Sequence, residues 1–107
     1  MRIKSITAEK DTVEFCYEGS SVKILVMDKE LRIFEEIGYE VATGPIYSKI
    51  QLAVRGGNVY VISPFGENEV KDPSNILKGI MQLAELVKEK HKGLYEKIQR
   101  VIGTVPT

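Results

Sequence analysis

Alternation of apolar and polar residues dominates the first half of the chain. Arg2 to Ala8 reads as a strand, followed by the turn-like Glu9-Lys10-Asp11. From Thr12 to Tyr17, Val13, Phe15 and Tyr17 share one face, with Thr12, Glu14 and Cys16 on the other. A period of two is the signature of a strand with one face buried. Glu18-Gly19-Ser20-Ser21 supplies turn residues, and Val22 to Met27 resumes the alternation. Leu25 and Met27 are apolar on the opposite face, so this strand has the pattern of one covered on both sides. Asp28 then suits a helix N-cap, Leu31, Phe34 and Ile37 recur at helical spacing, and Gly38 suits a C-terminal stop. The spacing predicts a short mid-chain helix over Lys29 to Ile37. A strand is the alternative, because Leu31, Ile33 and Glu35 also alternate.

Tyr39 to Thr43 reads as a short strand ended by Gly44-Pro45. Tyr47 to Arg55 and Asn58 to Ser63 flank Gly56-Gly57, a two-residue hairpin turn, and Pro64-Phe65-Gly66 ends the second strand. The turn places Val54 opposite Val59 and Leu52 opposite Val61, so Ile50, Leu52, Val54, Val59 and Val61 form the inward face. Glu67 to Lys71 reads as a polar loop. Asp72 and Pro73 then open a helix running to about Lys92, interrupted at Gly93 and resumed from Leu94 to Ile102. The expected fold is α+β: an antiparallel meander sheet with a short mid-chain helix and a C-terminal amphipathic helical arm. Residues 1–71 form the β-rich part and 72–107 the arm.

The arm carries Ile76, Ile80, Leu83, Val87 and Leu94 at heptad-like spacing, with Leu77, Ala84, Ile98, Val101 and Ile102 widening the stripe. Fully helical, such an arm would extend about 45 Å, longer than a sheet of this size can cover. Self-association through Ile76, Ile80, Leu83, Val87 and Leu94, as a homodimer or higher oligomer, is the expectation. The alternative is a monomer in which Gly93 lets the second helix fold back.

Length and composition fit one domain with a core that needs no covalent staples. The chain has 107 residues, 43% of them hydrophobic. Its only cysteine, Cys16, allows no internal disulfide and reads as a small core residue rather than a reactive thiol. No apolar run is long enough for a leader or a membrane span, so a cytoplasmic protein without membrane contact is expected. Gln and Asn number only three each while Lys and Glu dominate the charges, a bias enriched in hyperthermophiles.

Catalytic signatures are absent. No glycine-rich phosphate loop occurs, and the single histidine, His91, reads as a solvated helix residue. Ser20-Ser21-Val22-Lys23 matches a serine–lysine string but falls on a turn rather than a helix start. Glu67, Glu69 and Asp72 read as a solvated acidic loop rather than a metal site. No enzyme activity, metal or cofactor is expected.

With 15 basic and 15 acidic residues the net charge is zero, which leaves room only for a local basic surface. The stretch from Val41 to Gly66 contains no acidic residue. Its outward positions carry Lys49, Gln51, Arg55 and Tyr60, with Tyr47 and Phe65 nearby. Cations interleaved with aromatic rings suit a single nucleic-acid strand, whose phosphates meet the cations and whose bases stack on the rings. This basic and aromatic β-rich unit, followed by a zipper-like arm from Ile76 to Ile102, resembles the outline of the ThermoDBP-like single-stranded DNA-binding proteins of hyperthermophilic archaea. The resemblance implies a dimer that grips single strands in a cleft. The expectation is sequence-independent binding of single-stranded DNA or RNA by a homodimer. The alternative is a dimeric protein-interaction scaffold or regulatory adaptor.

Overall fold

Seven strands in chain order make one antiparallel sheet, and two helices cover part of one of its faces. The computed structural model describes residues 3–41 and 44–103, with side chains defined outside residues 37–48. The strands are β1 (Ile3–Glu9), β2 (Thr12–Tyr17), β3 (Ser20–Val26), β4 (Leu31–Val41), β5 (Gly44–Arg55), β6 (Asn58–Ser63) and β7 (Gly66–Glu69). The helices are α1 (Ser74–Val87) and α2 (Lys92–Ile102). Each strand pairs with its chain neighbour, so the sheet is an uninterrupted meander. The expected α+β class and antiparallel meander are therefore present.

The mid-chain helix is not. Lys29 to Ile37 gives way to a turn and then β4, which pairs with β3 from Leu31 to Ile37 and with β5 along its whole length. Two periods compete in this segment, and the partner strands decide between them. As a strand, the segment buries Leu31 and Ile33 on one face and leaves Phe34 39% exposed on the other. Gly38, expected to stop a helix, lies inside the strand opposite Tyr47.

The polar loop expected at Glu67 to Lys71 instead begins as β7. It has no apolar residue and no buried one, so no hydrophobic pattern announces it. Backbone pairing with β6, and an ion pair from Glu67 to Arg55 of β5, hold it in the sheet. Polar, charged side chains are what an edge strand carries to discourage pairing with other chains.

The Gly56-Gly57 hairpin has the expected register, with Leu52 opposite Val61, Val54 opposite Val59 and Arg55 opposite Asn58. Gly56 alone takes a positive φ, +63°, as a turn that matches the sheet's twist requires at its first position. Val54 and Val59 are fully buried, and Leu52 packs against the core. Ile50 and Val61 depart from the expectation. They share the inner parity but remain 40% and 39% exposed, because the helices do not cover that end of the face.

Val13, Phe15, Ile24, Val26, Leu31, Ile33, Val54 and Val59 form the sheet side of the core. Leu94, Ile98, Val101 and Ile102 of α2 and Leu77, Ile80, Ala84 and Val87 of α1 close it. The break between the helices falls at 88–91, before Gly93. Lys88-Glu89-Lys90 offers no apolar face to bury. His91 then starts α2 by accepting a hydrogen bond from Leu94 N at its Nδ1, 3.2 Å away. This capping role goes beyond the solvated histidine read from sequence. Tyr95 ties the two helices together: its hydroxyl donates to Glu85 Oε1 (2.8 Å) and accepts from Gln99 Nε2 (3.0 Å), with Lys88 over the ring. Burial and the Glu85 carboxylate push the Tyr95 hydroxyl's pKa upward, the hydrogen bond to Glu85 being the larger cause.

The apolar stripe of the arm is thus spent inside the chain. Ile80, Val87 and Leu94 are core residues, and Ile76 and Leu83 pack partly buried against that core. The fold-back removes the reason for assigning these five residues to self-association, since no rigid 45 Å arm needs covering. Among the described residues, no helix is long and apolar enough to cross a membrane.

Candidate functional site

The face of the sheet turned away from the helices is the surface on which the expected binding residues fall. Antiparallel registry arranges its side chains in rows. One row crosses all seven strands through Thr7, Glu14, Lys23, Phe34, Gln51, Ile62 and Glu67. A second runs through Glu9, Thr12, Leu25, Arg32, Ala53, Tyr60 and Glu69. A third joins Ser5, Cys16, Ser21, Glu36 and Lys49. Cross-strand neighbours stand about 5 Å apart, so these rows, and not stretches of sequence, define local chemistry.

Between the first and third rows the face dips into a concavity of about 410 Å³. Phe34 and Ile62 give it an apolar part, Gln51 lies between them, and Glu14, Lys23, Ser21, Glu36 and Lys49 surround them. Lys23 and Lys49 are exposed and, among the described residues, neither makes an ion pair. Cys16 lies on this face, partly exposed, with its Sγ 3.8 Å from Glu14 Oε1. It is therefore not the core residue expected from its strand position.

Arg55 sits at the margin, committed to partners from distant segments. Its Nε donates to Glu30 Oε1, and its Nη1 and Nη2 donate to Glu67 Oε2 and Oε1 at 2.8 and 2.9 Å. Its guanidinium also lies 5.0 Å from the centroid of the Tyr60 ring. Glu30 in turn accepts from Arg32 Nε at 3.0 Å. A forked guanidinium–carboxylate pair is geometrically specific and charge-assisted. Burial drives the Glu30 carboxyl upward, but the hydrogen bonds and charges of Arg32 and Arg55 outweigh it and hold its pKa below the ordinary value. Glu67 is held low chiefly by the hydrogen bonds from Arg55. The same contacts, Glu67 first and Glu30 second, keep Arg55 more firmly protonated than an isolated guanidinium.

The acid-free stretch is therefore not an acid-free surface. Glu30, Glu36, Glu67 and Glu69 reach it from neighbouring strands and turns. Over the face and its margin, Glu9, Glu14, Glu30, Glu36, Glu67 and Glu69 stand against Lys23, Arg32, Lys49 and Arg55. Comparison with protein-family models, curated proteins and solved structures gave no match.

Of the residues expected to bind nucleic acid, Lys49, Gln51, Arg55 and Tyr60 share the outer face. The Tyr47 side chain lies outside the described residues. Phe65 is separate, at the tip of the β6–β7 turn. Phe34, Lys23 and Ile62 belong to the site but were not singled out from sequence. Reading residues 31–37 as a strand would have brought Phe34 beside Lys23, because both then face outward. Glu67, Glu69 and Asp72 do not converge: Glu67 binds Arg55, while Asp72 accepts from the Ser74 hydroxyl at 2.8 Å. Among the described residues, no group of three or more His, Cys, Asp or Glu side chains gathers as a metal site would require.

The Glu30 network makes a pH-dependent contribution to stability. A carboxyl whose pKa is lowered by folding stabilises the fold above its unfolded pKa. That contribution fades as pH falls through the lowered folded value. Glu30→Gln is expected to be less stable than wild type by about 1 kcal/mol at neutral pH. It should lose less stability than wild type between roughly pH 5 and pH 3. Urea denaturation across that range, with parallel pH profiles for the two proteins, would contradict this assignment.

Proposed function

We propose that this chain is a non-catalytic protein-interaction module whose docking surface is the outer-face concavity. What carries the reading is the state of Arg55: three of its five N–H donors, among them one on each guanidinium nitrogen, are engaged by Glu30 and Glu67. A phosphate seeking a two-point contact would have to displace a carboxylate. The rest of the face alternates in charge around Phe34 and Ile62, a small apolar centre with a polar, mixed-charge surround. That pattern suits a protein surface, where complementary charges set orientation and the apolar centre supplies affinity.

A second reading is single-stranded DNA or RNA binding, favoured by one observation. Arg55 stacks over Tyr60, and with Phe34, Lys23 and Lys49 this gives rings and cations along adjacent rows. A strand crossing them would require Glu67 to swing away from Arg55.

Titration with a fluorescent poly-dT or poly-U strand at low and high salt separates the two. The protein-docking reading expects no binding at low salt at micromolar protein. Binding that weakens steeply with salt reports phosphate contacts. If it were also weakened by Tyr60→Ala and its salt slope flattened by Arg55→Ala, the nucleic-acid reading would replace the first.

A further inference from the structure

The turn between β6 and β7 presents a phenylalanine that packs against almost nothing. Phe65 is 99% exposed, yet its turn is well constructed. Ser63 Oγ accepts from Phe65 N and donates to Gly66 O, both at 3.2 Å, and Gly66 supplies the positive φ of +124°. A large ring held in water is unfavourable. Held on a hydrogen-bonded turn, it loses little further freedom on docking, and such aromatic anchors dominate interface energetics.

A receptor for such a ring lies on the same molecule. The outer-face concavity, about 410 Å³, is ample for one aromatic side chain and offers Phe34 and Ile62 as apolar contacts. Ile62 is the residue just before Ser63, so the exposed ring and the concavity lie side by side at one end of the sheet. A donor and a receptor adjacent on one surface are what a two-fold contact needs, since each copy then gives and receives once.

We infer that two copies of this chain associate by each placing Phe65 in the other's concavity, against Phe34 and Ile62. The inference rests on the concavity being a protein-docking surface and names its occupant. It also moves self-association from the helical arm, whose stripe is internal, to the opposite side of the sheet.

Sedimentation velocity from micromolar to near-millimolar protein tests it. Wild type should pass from monomer to dimer as concentration rises. Phe65→Ala should weaken association at least roughly thirtyfold, as loss of a central aromatic anchor does. Its thermal midpoint as a monomer should be unchanged, because the ring supports nothing in its own chain. Phe34→Ala should weaken association as well. A wild type that stays monomeric throughout overturns the inference, as does a Phe65→Ala variant with the wild-type constant. If Phe34→Ala loses association while Phe65→Ala keeps it, another segment fills the concavity. The named occupant is then wrong and the docking surface stands. If Phe65→Ala loses association while Phe34→Ala keeps it, the ring docks elsewhere and the inference also fails.

Discussion

Replacing Phe15 with alanine is expected to lower stability by about 3–5 kcal/mol, the range for an aromatic ring removed from a closed core. Phe15 lies in β2 between Ile6 of β1 and Val22 of β3 and is fully buried. Both neighbours pack against the same core, and the helices close it. Truncation therefore loses the ring's transfer free energy and leaves a cavity that strands paired on both sides cannot easily collapse. Small domains have only about 5–15 kcal/mol in total, so the variant should unfold at much lower urea. The denaturant midpoint should fall while the slope stays that of wild type. A loss under about 1 kcal/mol, the size expected away from cores, would mean that the ring is not where the register places it. Phe34→Ala is the internal control, since that ring is 39% exposed on the opposite face.

Ile98→Ala should cost about 2–5 kcal/mol, and for a reason that separates two architectures. Ile98 is fully buried in α2, among the residues that close the sheet's inner face. If α2 packs within its own chain, the loss is independent of protein concentration. It should also be the same in a Phe65→Ala background, because sites that share no partners contribute additively. An intermolecular helical seam would behave otherwise: dilution would destabilise even the Phe65→Ala protein, and the Ile98→Ala loss would grow with it. Chemical denaturation at two protein concentrations in the Phe65→Ala background decides between them.

These two residues also mark how far the sequence can be read. Phe15 and the Gly56-Gly57 hairpin are legible because one face is buried and the other wet, so the period of two is clean. The core side of the arm is equally legible from its stripe. What the stripe does not contain is its partner. Apolar spacing is the same whether a helix packs on its own sheet or on a second copy, and only the break at 88–91 lets the stripe fold back on its own sheet. At Leu31, Phe34 and Ile37 two periods coincide, and the pairing of β3 and β5 with this segment chooses the strand. β7 is invisible to any hydrophobic pattern, because Glu67, Asn68 and Glu69 are held by backbone pairing and by the Arg55–Glu67 ion pair rather than by apolar burial. The charge of the outer face is hidden from the sequence for a related reason. The chain from Val41 to Gly66 is free of acid, whereas Arg55 takes its partners from Glu30 and Glu67, 25 and 12 residues away. Cross-strand rows carry the chemistry of a sheet, and they can be assembled only once every strand is assigned.

Strand order that equals chain order also shapes how the molecule comes into being. As the chain is synthesised, each strand finds its hydrogen-bonding neighbour already made just upstream, so pairing advances by short loop closures that favour fast formation. The apolar underside of that growing sheet has no cover until the helices emerge. Nascent chains halted before Ser74 would hold a paired but uncapped sheet, with Phe15, Ile24, Leu31 and Val54 open to water. Such surface is what chaperones bind and what aggregates. The helices thus complete the core of this sheet, and shortening α2 would be felt first as poor yield of folded protein.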